Sequence, residues 1–537
     1  MSYKNIIVAL LGLLLVSCSG GDSSNGTTPV TQVTLSFERI DSAGLDPIQV
    51  TATVTEDGQP VVGVAGELMI TAVKGVLSAV TEIAAGVYQF TITPSQTGEH
   101  PVTVTYDAVS VTRTPLVVAQ VDANWGQPMS VSGLVNTAGY EDGVTISPDG
   151  EYLFVQYGAL YFTGLIMFPV DRASGGCSGD RLSPTRCTHA WLDDVIGPIA
   201  APERPAFFAD RMVNGMHLHN AISWGIGVEG SPILAPTTMF YGFRRQDDGT
   251  FAEPFYLAFN DLGDGLINPF GMSFHPNGNG TATMLFSMND ADPSAVVDVN
   301  GDGMDIRDSG ADIYSISITL GQNTNLGSYD VSGLGVGTPP IRSTPFDSQR
   351  INFGDTGTEG NLGLQGNPHL HVVNGQVRSI WTDDERDNDS DTGEITVFIL
   401  DSGTLNSGNW TKILLPSNVN VAGSSHEIQP YFNQDGLYFT RSGVSLPEVY
   451  FAAYSGGHNQ TDLTNNANWS MPVKILGLNA GTNIGEVTAI GEPTVGVRNG
   501  EETLYFVYGI IRDNQPGVDG LGLFTDVNMQ AGFVKRR

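Results

Sequence analysis

Apolar and polar residues alternate with a period of two along most of this chain. The alternation is clear in Gln49-Val50-Thr51-Ala52-Thr53-Val54, in Gly86-Val87-Tyr88-Gln89-Phe90-Thr91-Ile92 and in Pro101-Val102-Thr103-Val104-Thr105-Tyr106. Successive side chains of a strand point to opposite faces, so the pattern predicts strands with one buried face. Over residues 30–118 such runs recur between turn signals and predict a two-sheet sandwich. Residues 119–537 are again rich in strand patterns, show no convincing amphipathic helix longer than two turns, and repeat one layout. A polar residue, often followed by Pro, leads into an apolar strand, a tight turn and a second apolar strand. Copies start at Glu141, Asn268, Asn367, Gln429 and Glu492, with a weaker one at Asn220. Asp-Gly and Asn-Gly between alternating runs are the strongest short hairpin signal, so each copy is predicted to be a hairpin.

The turn Glu56-Asp57-Gly58-Gln59-Pro60-Val61 and the segment from Gly86 to Tyr106 resemble the bacterial Ig-like domains of adhesins and exported enzymes, which commonly act as spacers. The hairpin copies resemble the repeats of TolB-type β-propellers, most closely in Ser147-Pro148-Asp149-Gly150-Glu151-Tyr152-Leu153-Phe154 and in the run from Gln429 to Arg441. The two resemblances imply an all-β chain: an Ig-like sandwich at 30–118, then a propeller at 119–537, six-bladed if each copy is one blade, with five or seven left open by the uneven spacing. In a propeller the innermost strand of each blade starts beside the central channel, so the entries form a ring. The entry residues are Asp142, Asn220, Asn268, Asn367, Gln429 and Glu492, all polar, and imply a polar channel mouth. The alternative is that they only satisfy backbone groups at strand ends.

The N-terminal end adds a location. Lys4 precedes an apolar run from Ile6 to Val16, too short for a membrane helix of about 20 residues, and matches the core of a secretory signal. Leu15-Val16-Ser17-Cys18 then resembles the lipobox of bacterial lipoproteins. That resemblance implies a signal peptide at 1–17, diacylation of Cys18 and retention on a membrane of the cell envelope. Ser19 after the Cys leans towards the outer membrane. Residues 18–29, rich in Gly, Ser, Asn and Thr, read as a tether. Of three Cys, Cys177 and Cys187 remain and read as a local disulfide in an oxidising compartment.

A formal charge of −33 excludes a nucleic-acid partner, whose phosphates demand a basic surface. Solvation and divalent cation binding compete to explain the acidic runs. Asp298, Asn300 and Asp302 with Gly303 begin like a Ca²⁺ loop, which Asp305 or Asp308 would have to close because Ser309 stands where a Glu is expected. The run from Asp383 to Asp391 lacks that Gly and reads as a solvated loop.

Histidine gathers near the strand entries: His217 and His219, His369 and His371, and His426 beside Glu427. A His-x-His pair on a strand points both rings to one face, as a transition metal or an acid/base centre would require. The propellers of oligogalacturonate lyases are similar and hold a metal with a Gln-x-x-His-x-His pattern. Here Gln365 stands one residue too far from His369 and His371. The alternative is hydrogen bonding across blades. Carboxyls at Asp142, Glu427 and Glu492 could serve glycoside hydrolysis if they converge. No nucleophile elbow, phosphate loop or dinucleotide fingerprint is present. The sequence thus points first to an envelope lipoprotein whose channel mouth binds a glycan, peptide or protein partner, and second to a metal-dependent carbohydrate-active lyase or hydrolase.

Overall fold

The alternating runs of the first stretch fold into two sheets. Thr31–Arg39 pairs antiparallel with Ile48–Glu56, which pairs in turn with Val87–Thr93. Val102–Tyr106 carries Met69–Ala72 on one side and Val109–Arg113 on the other. Along Ile48–Glu56 the period of two is literal, with Ile48, Val50, Ala52 and Val54 buried and the residues between them half-buried. Val33, Val50, Ala52, Tyr88, Phe90, Val102 and Val104 form one core between the sheets. The Tyr88 hydroxyl, taken into that core, donates to the Val61 carbonyl at 2.7 Å, as a buried hydroxyl must.

The structure, a computed structural model, describes residues 29–40, 44–133, 135–136, 140–158, 212–213, 216–217, 239–257, 269–278, 281–289, 311–319, 349–351, 364–385, 393–421, 426–442, 446–478, 485–511 and 527–537. From residue 119 onward these form five antiparallel blades. The innermost strands are Tyr140–Ile146, Pro269–Pro276, Leu364–Val373, His426–Asn433 and Val487–Arg498. Each pairs with the strand that follows it through a tight turn, as the repeated layout predicts. At Asn374-Gly375 and Asn499-Gly500 both residues of the turn have positive φ, the two-residue hairpin that matches strand twist.

The inner strands pack side by side into a ring, and the fifth packs on the first. Specific side-chain contacts mark the seams. Phe154 meets Phe274 at 4.5 Å between blades 1 and 2, and Trp381 stacks on Phe432 at 4.0 Å between blades 3 and 4. Across the closing seam Val497 N–H donates to the Pro148 carbonyl at 2.9 Å, and Arg498 pairs with Glu151 at 2.8 Å. Among the described residues the ring therefore closes with five blades, one fewer than the six copies suggest and within the range their uneven spacing leaves open. The weaker copy at Asn220 falls between Tyr152–Gly158 and Met239–Arg245, and these two strands are direct neighbours in blade 1. A sixth blade there would have to part strands that are hydrogen-bonded to each other.

Early residues complete the late blades. Gln120–Val121 joins blade 4 beside Val473–Gly477, and Met129–Ser130 joins blade 5 beside Val527–Lys535. The sandwich is tied on at the same place: Leu116–Val117 pairs with Gly98–Glu99, and Tyr508 Oη of blade 5 donates to Glu99 at 2.6 Å. Among the described residues helix is confined to Gln460–Leu463, capped by Asn459, and one 3₁₀ turn, and no helix is long and apolar enough to cross a membrane.

Candidate channel-mouth site

The five inner strands share one irregularity. Each carries a bulge, between Asp142 and Thr145, Phe270 and Met272, Gly366 and His369, Ile428 and Tyr431, and Gly491 and Thr494. At each bulge one residue takes the left-handed conformation: Gly143 (φ 57°), Gly271 (51°), Asn367 (44°), Gln429 (56°) and Glu492 (55°). Three of these are not glycine, a conformation that costs about 1–2 kcal/mol per residue. The true ring is thus Gly143, Gly271, Asn367, Gln429 and Glu492. Asp142 stands one residue outside that register, and Asn268 lies outside the described residues. The repeat layout puts Asp142 at the entry because this copy lacks the Pro that marks the position in Asn367-Pro368, Gln429-Pro430 and Glu492-Pro493.

The bulges turn backbone N–H groups toward the neighbouring blade, and polar side chains of the second strands accept them. Gln156 Oε1 accepts from Gly271 N at 3.2 Å, Asp383 Oδ2 from Gln429 N at 3.4 Å, and Thr440 Oγ1 from Glu492 N at 2.9 Å. Asp383 Oδ2 also accepts from Asn367 Nδ2 at 2.9 Å. Asp383 is therefore no part of a solvated loop: it is 7% exposed, on the strand Gln376–Glu385, opposite Gly366. Its place among other acidic residues hid this, and the signal available was Ile380-Trp381-Thr382 just before it. Gly366 is the permissive partner, since a Cβ there would press on the Asp383 carboxyl at 2.6 Å.

Glu492 is the centre of the arrangement. Its Oε1 accepts from Gln429 Nε2 at 2.8 Å, while its own N–H donates to Gln429 Oε1 at 3.1 Å. Its second oxygen, Oε2, is sealed from solvent. Burial pushes the Glu492 carboxyl well above the usual carboxylate range. The Asp142 carboxyl, which repels its charge and hydrogen-bonds to it, pushes the same way, against a smaller opposing pull from the Gly143 N–H. Two carboxylates can only accept, so a hydrogen bond between them requires a proton on one of them. Both causes favour the protonated form of the Glu492 carboxyl. Gly143, Asn367, Gln429, Glu492 and Tyr431, but not Asp142, line a cavity of ≈ 30 Å³ at the centre of the ring, large enough to admit water. Glu427 does not line it. It is buried beneath Arg441, which pairs with it at 2.7 Å.

His369 and His371 fall on one side of their strand, as the spacing predicts, and both face blade 4. His369 Nε2 donates to the Phe432 carbonyl at 2.8 Å, and its ring lies 4.3 Å from that of Tyr431. Tyr431 Oη in turn donates to the Val495 carbonyl of blade 5 at 2.6 Å, and Thr494 Oγ1 accepts from Ile146 N of blade 1 at 3.2 Å. His369, Tyr431 and Thr494 occupy the same position two residues past the left-handed one, and each ties its blade to the next. His371 lies against Phe432 and 4.6 Å from the His458 ring, with Nδ1 3.5 Å from Ser379 Oγ. Burial holds His369 at about 4 and His371 at about 3, with the neighbouring His458 adding to the latter. His426 is half-buried at the start of its strand. Among the described residues no group of three or more His, Cys, Asp or Glu is gathered as a metal ion would need. His217 lies in the short strand Met216–His217. Its side chain, together with His219, Asn220, Cys18, Cys177, Cys187, Asp298, Asn300, Asp302, Asp305 and Asp308, falls outside the described residues.

The chain matches no family model and no curated protein. It is similar in fold to several solved structures. An α-L-arabinofuranosidase from Lactobacillus brevis is 13% identical, with a TM-score of 0.32 over 55% of this chain and 86% of the other. A family 117 glycoside hydrolase produced by the marine bacterium Zobellia galactanivorans is 9% identical, with a TM-score of 0.35 over 76% and 89%. An α-L-arabinanase from Cellvibrio cellulosa is 11% identical, with a TM-score of 0.28 over 55% and 84%. At TM-scores this low the propeller rests on the sheets and the closed ring of this chain itself.

Proposed function

We propose that this chain is a lipid-anchored cell-envelope protein whose propeller mouth binds a glycan. One observation carries the reading. Asn367, Gln429 and Glu492, three adjacent ring positions, hold polar side chains over one cavity on left-handed backbone that glycine would adopt without strain. Strain of that kind persists where the side chain is needed. Together the ring offers amide donors and amide and carboxylate acceptors, the mixture that pairs with sugar hydroxyls, each of which donates and accepts. A polar mouth on a tethered propeller suits capture at the cell surface, and Cys18 supplies the tether's anchor in this reading. A glycan array probed with the full chain tests it: hits that weaken with Gln429→Ala support it, and an array without hits sinks it.

A second reading has its own motive. A carboxyl pushed up by burial beside a second carboxyl is the arrangement of an acid and a base at one site. In that case Glu492 would protonate a leaving oxygen and Asp142 would stay ionised. Glu492→Gln would then abolish turnover of a bound oligosaccharide while leaving its binding within a few fold. Binding without turnover in the parent chain selects the first reading.

A further inference from the structure

The ring of left-handed residues has an apolar tier beneath it. The next residue along the five inner strands is Val144, Met272, Pro368, Pro430 and Pro493 in turn. All of them are apolar, all are buried, and all line the central cavity. Asn367, Gln429 and Glu492, one position earlier, are only half-buried. The cavity thus passes from polar side chains at its partly exposed end to carbon at its buried one. The polar residues that follow the collar do little to change this. Of the four that line the cavity, three direct hydrogen bonds to a neighbouring blade. His369 donates to the Phe432 carbonyl at 2.8 Å, Tyr431 to the Val495 carbonyl at 2.6 Å, and Thr494 accepts from the Ile146 N–H at 3.2 Å. A bound water needs two or more polar partners, and cavities walled by carbon stay dry. The collar therefore suits an apolar group better than water.

Resting on the reading of the mouth as a glycan site, we infer that it selects deoxyhexoses, whose exocyclic carbon is a methyl group that seats in the collar. Such a sugar matches in three respects. A methyl group is about the size of a water molecule, and the cavity of ≈ 30 Å³ admits a body of that size. The sugar's hydroxyls stay level with the polar ring, where Gln429 Nε2 has a second N–H besides the one it gives to Glu492. The collar's three prolines have no N–H, so they add no donor to the seat, and their locked φ holds its shape. An ordinary hexose would push a hydroxymethyl into the same place, and its hydroxyl would exchange water for carbon at a cost in free energy.

The experiment is calorimetric titration of the full chain in detergent. L-fucose and L-rhamnose are compared with L-galactose and L-mannose, which carry a hydroxymethyl in place of the methyl. N-acetylglucosamine is added as a sugar whose methyl sits on an amide. The expected result is that at least one deoxyhexose binds about tenfold or more tighter than its counterpart, the discrimination that one matched methyl gives in an apolar pocket. Val144→Ile adds a carbon where the sugar methyl would sit and should erase that preference, with a melting curve to check folding. Val144→Thr keeps the shape, places a hydroxyl in the collar and should shrink the preference, so the test survives if the larger side chain unfolds the ring. Equal binding within both pairs, or tighter binding of the hydroxymethyl sugars, overturns the deoxyhexose inference and leaves the glycan reading standing. A preference for N-acetylglucosamine over the other four does the same and moves the methyl to an acetamido group. Binding of none of these sugars overturns the inference, and the glycan reading falls with it only if the glycan array is also empty.

Discussion

At the scale of single residues the mouth is a set of titrating groups pulled in opposite directions. His369 and His371 are held neutral by burial, at about 4 and about 3. Each therefore contributes stability that is present above the unfolded value near 6.5 and is lost as pH falls toward those figures. The loss is of the order of a few kcal/mol per residue. His100 and His275 are shifted in the same direction by burial. Glu492 has the opposite sign. Its folded value is raised, so its contribution is complete below the unfolded value near 4.5 and fades as pH rises through the folded one. Melting temperature against pH should accordingly fall on both sides. Glu492→Gln should flatten the alkaline limb and leave the acid limb, and His371→Gln should soften the acid limb. An unchanged alkaline limb in Glu492→Gln would contradict the raised Glu492 carboxyl. These assignments were only partly legible in the sequence. The His-x-His spacing gave the common face of His369 and His371, but their blade-to-blade role depends on which carbonyl lies opposite. The depth of Asp383 depends on Gly366, seventeen residues earlier, and no local charge pattern reports it.

At the scale of elements the bulged inner strand is the working unit, and its glycines divide into two kinds. A Cβ on Gly271 would run into the side chain and backbone of Asn367 in the next blade, while a Cβ on Gly375 would meet open space at a hairpin turn. Gly271→Ala is therefore expected to lower unfolding free energy by about 2–4 kcal/mol, combining overpacking with a strained φ. Gly375→Ala carries only the backbone term, about 1 kcal/mol. Urea titration of the two variants separates them, and equal losses would mean that the ring tolerates insertion at its seams. The hairpins themselves were legible because Asn374-Gly375 and Asn499-Gly500 fix turn and register together. The ring position was not, because in blades 1 and 2 it is filled by Gly143 and Gly271. A glycine inside a strand pattern announces a bulge without saying which neighbour becomes the inward one.

At the scale of the molecule, closure decides the blade count and most of the stability. Blade 5 is completed by Met129–Ser130 and carries Val527–Lys535 between its second strand and that early segment. Tyr505, Phe506, Val507 and Val534 are almost fully buried there. Removal of residues 527–537 should therefore abolish cooperative unfolding, as read by calorimetry, and should not merely shift it. A sharp transition in the truncated chain would contradict closure through this strand. Repeats of similar look cannot report closure: what tells against a blade at the weaker Asn220 copy is the direct pairing of Tyr152–Gly158 with Met239–Arg245 on either side of it. The charge of −33 acts at this scale too. It favours solubility and repels polyanions, and it makes salt a variable to hold fixed in every binding comparison. The central claim is the location of the ligand. The structure of the chain with a bound glycan tests it most directly. The expected result is a sugar hydroxyl within hydrogen-bonding distance of Glu492 and Gln429, with the Asp142–Glu492 contact opened. A glycan seated on an outer blade strand or on the sandwich, with that contact intact, would contradict it.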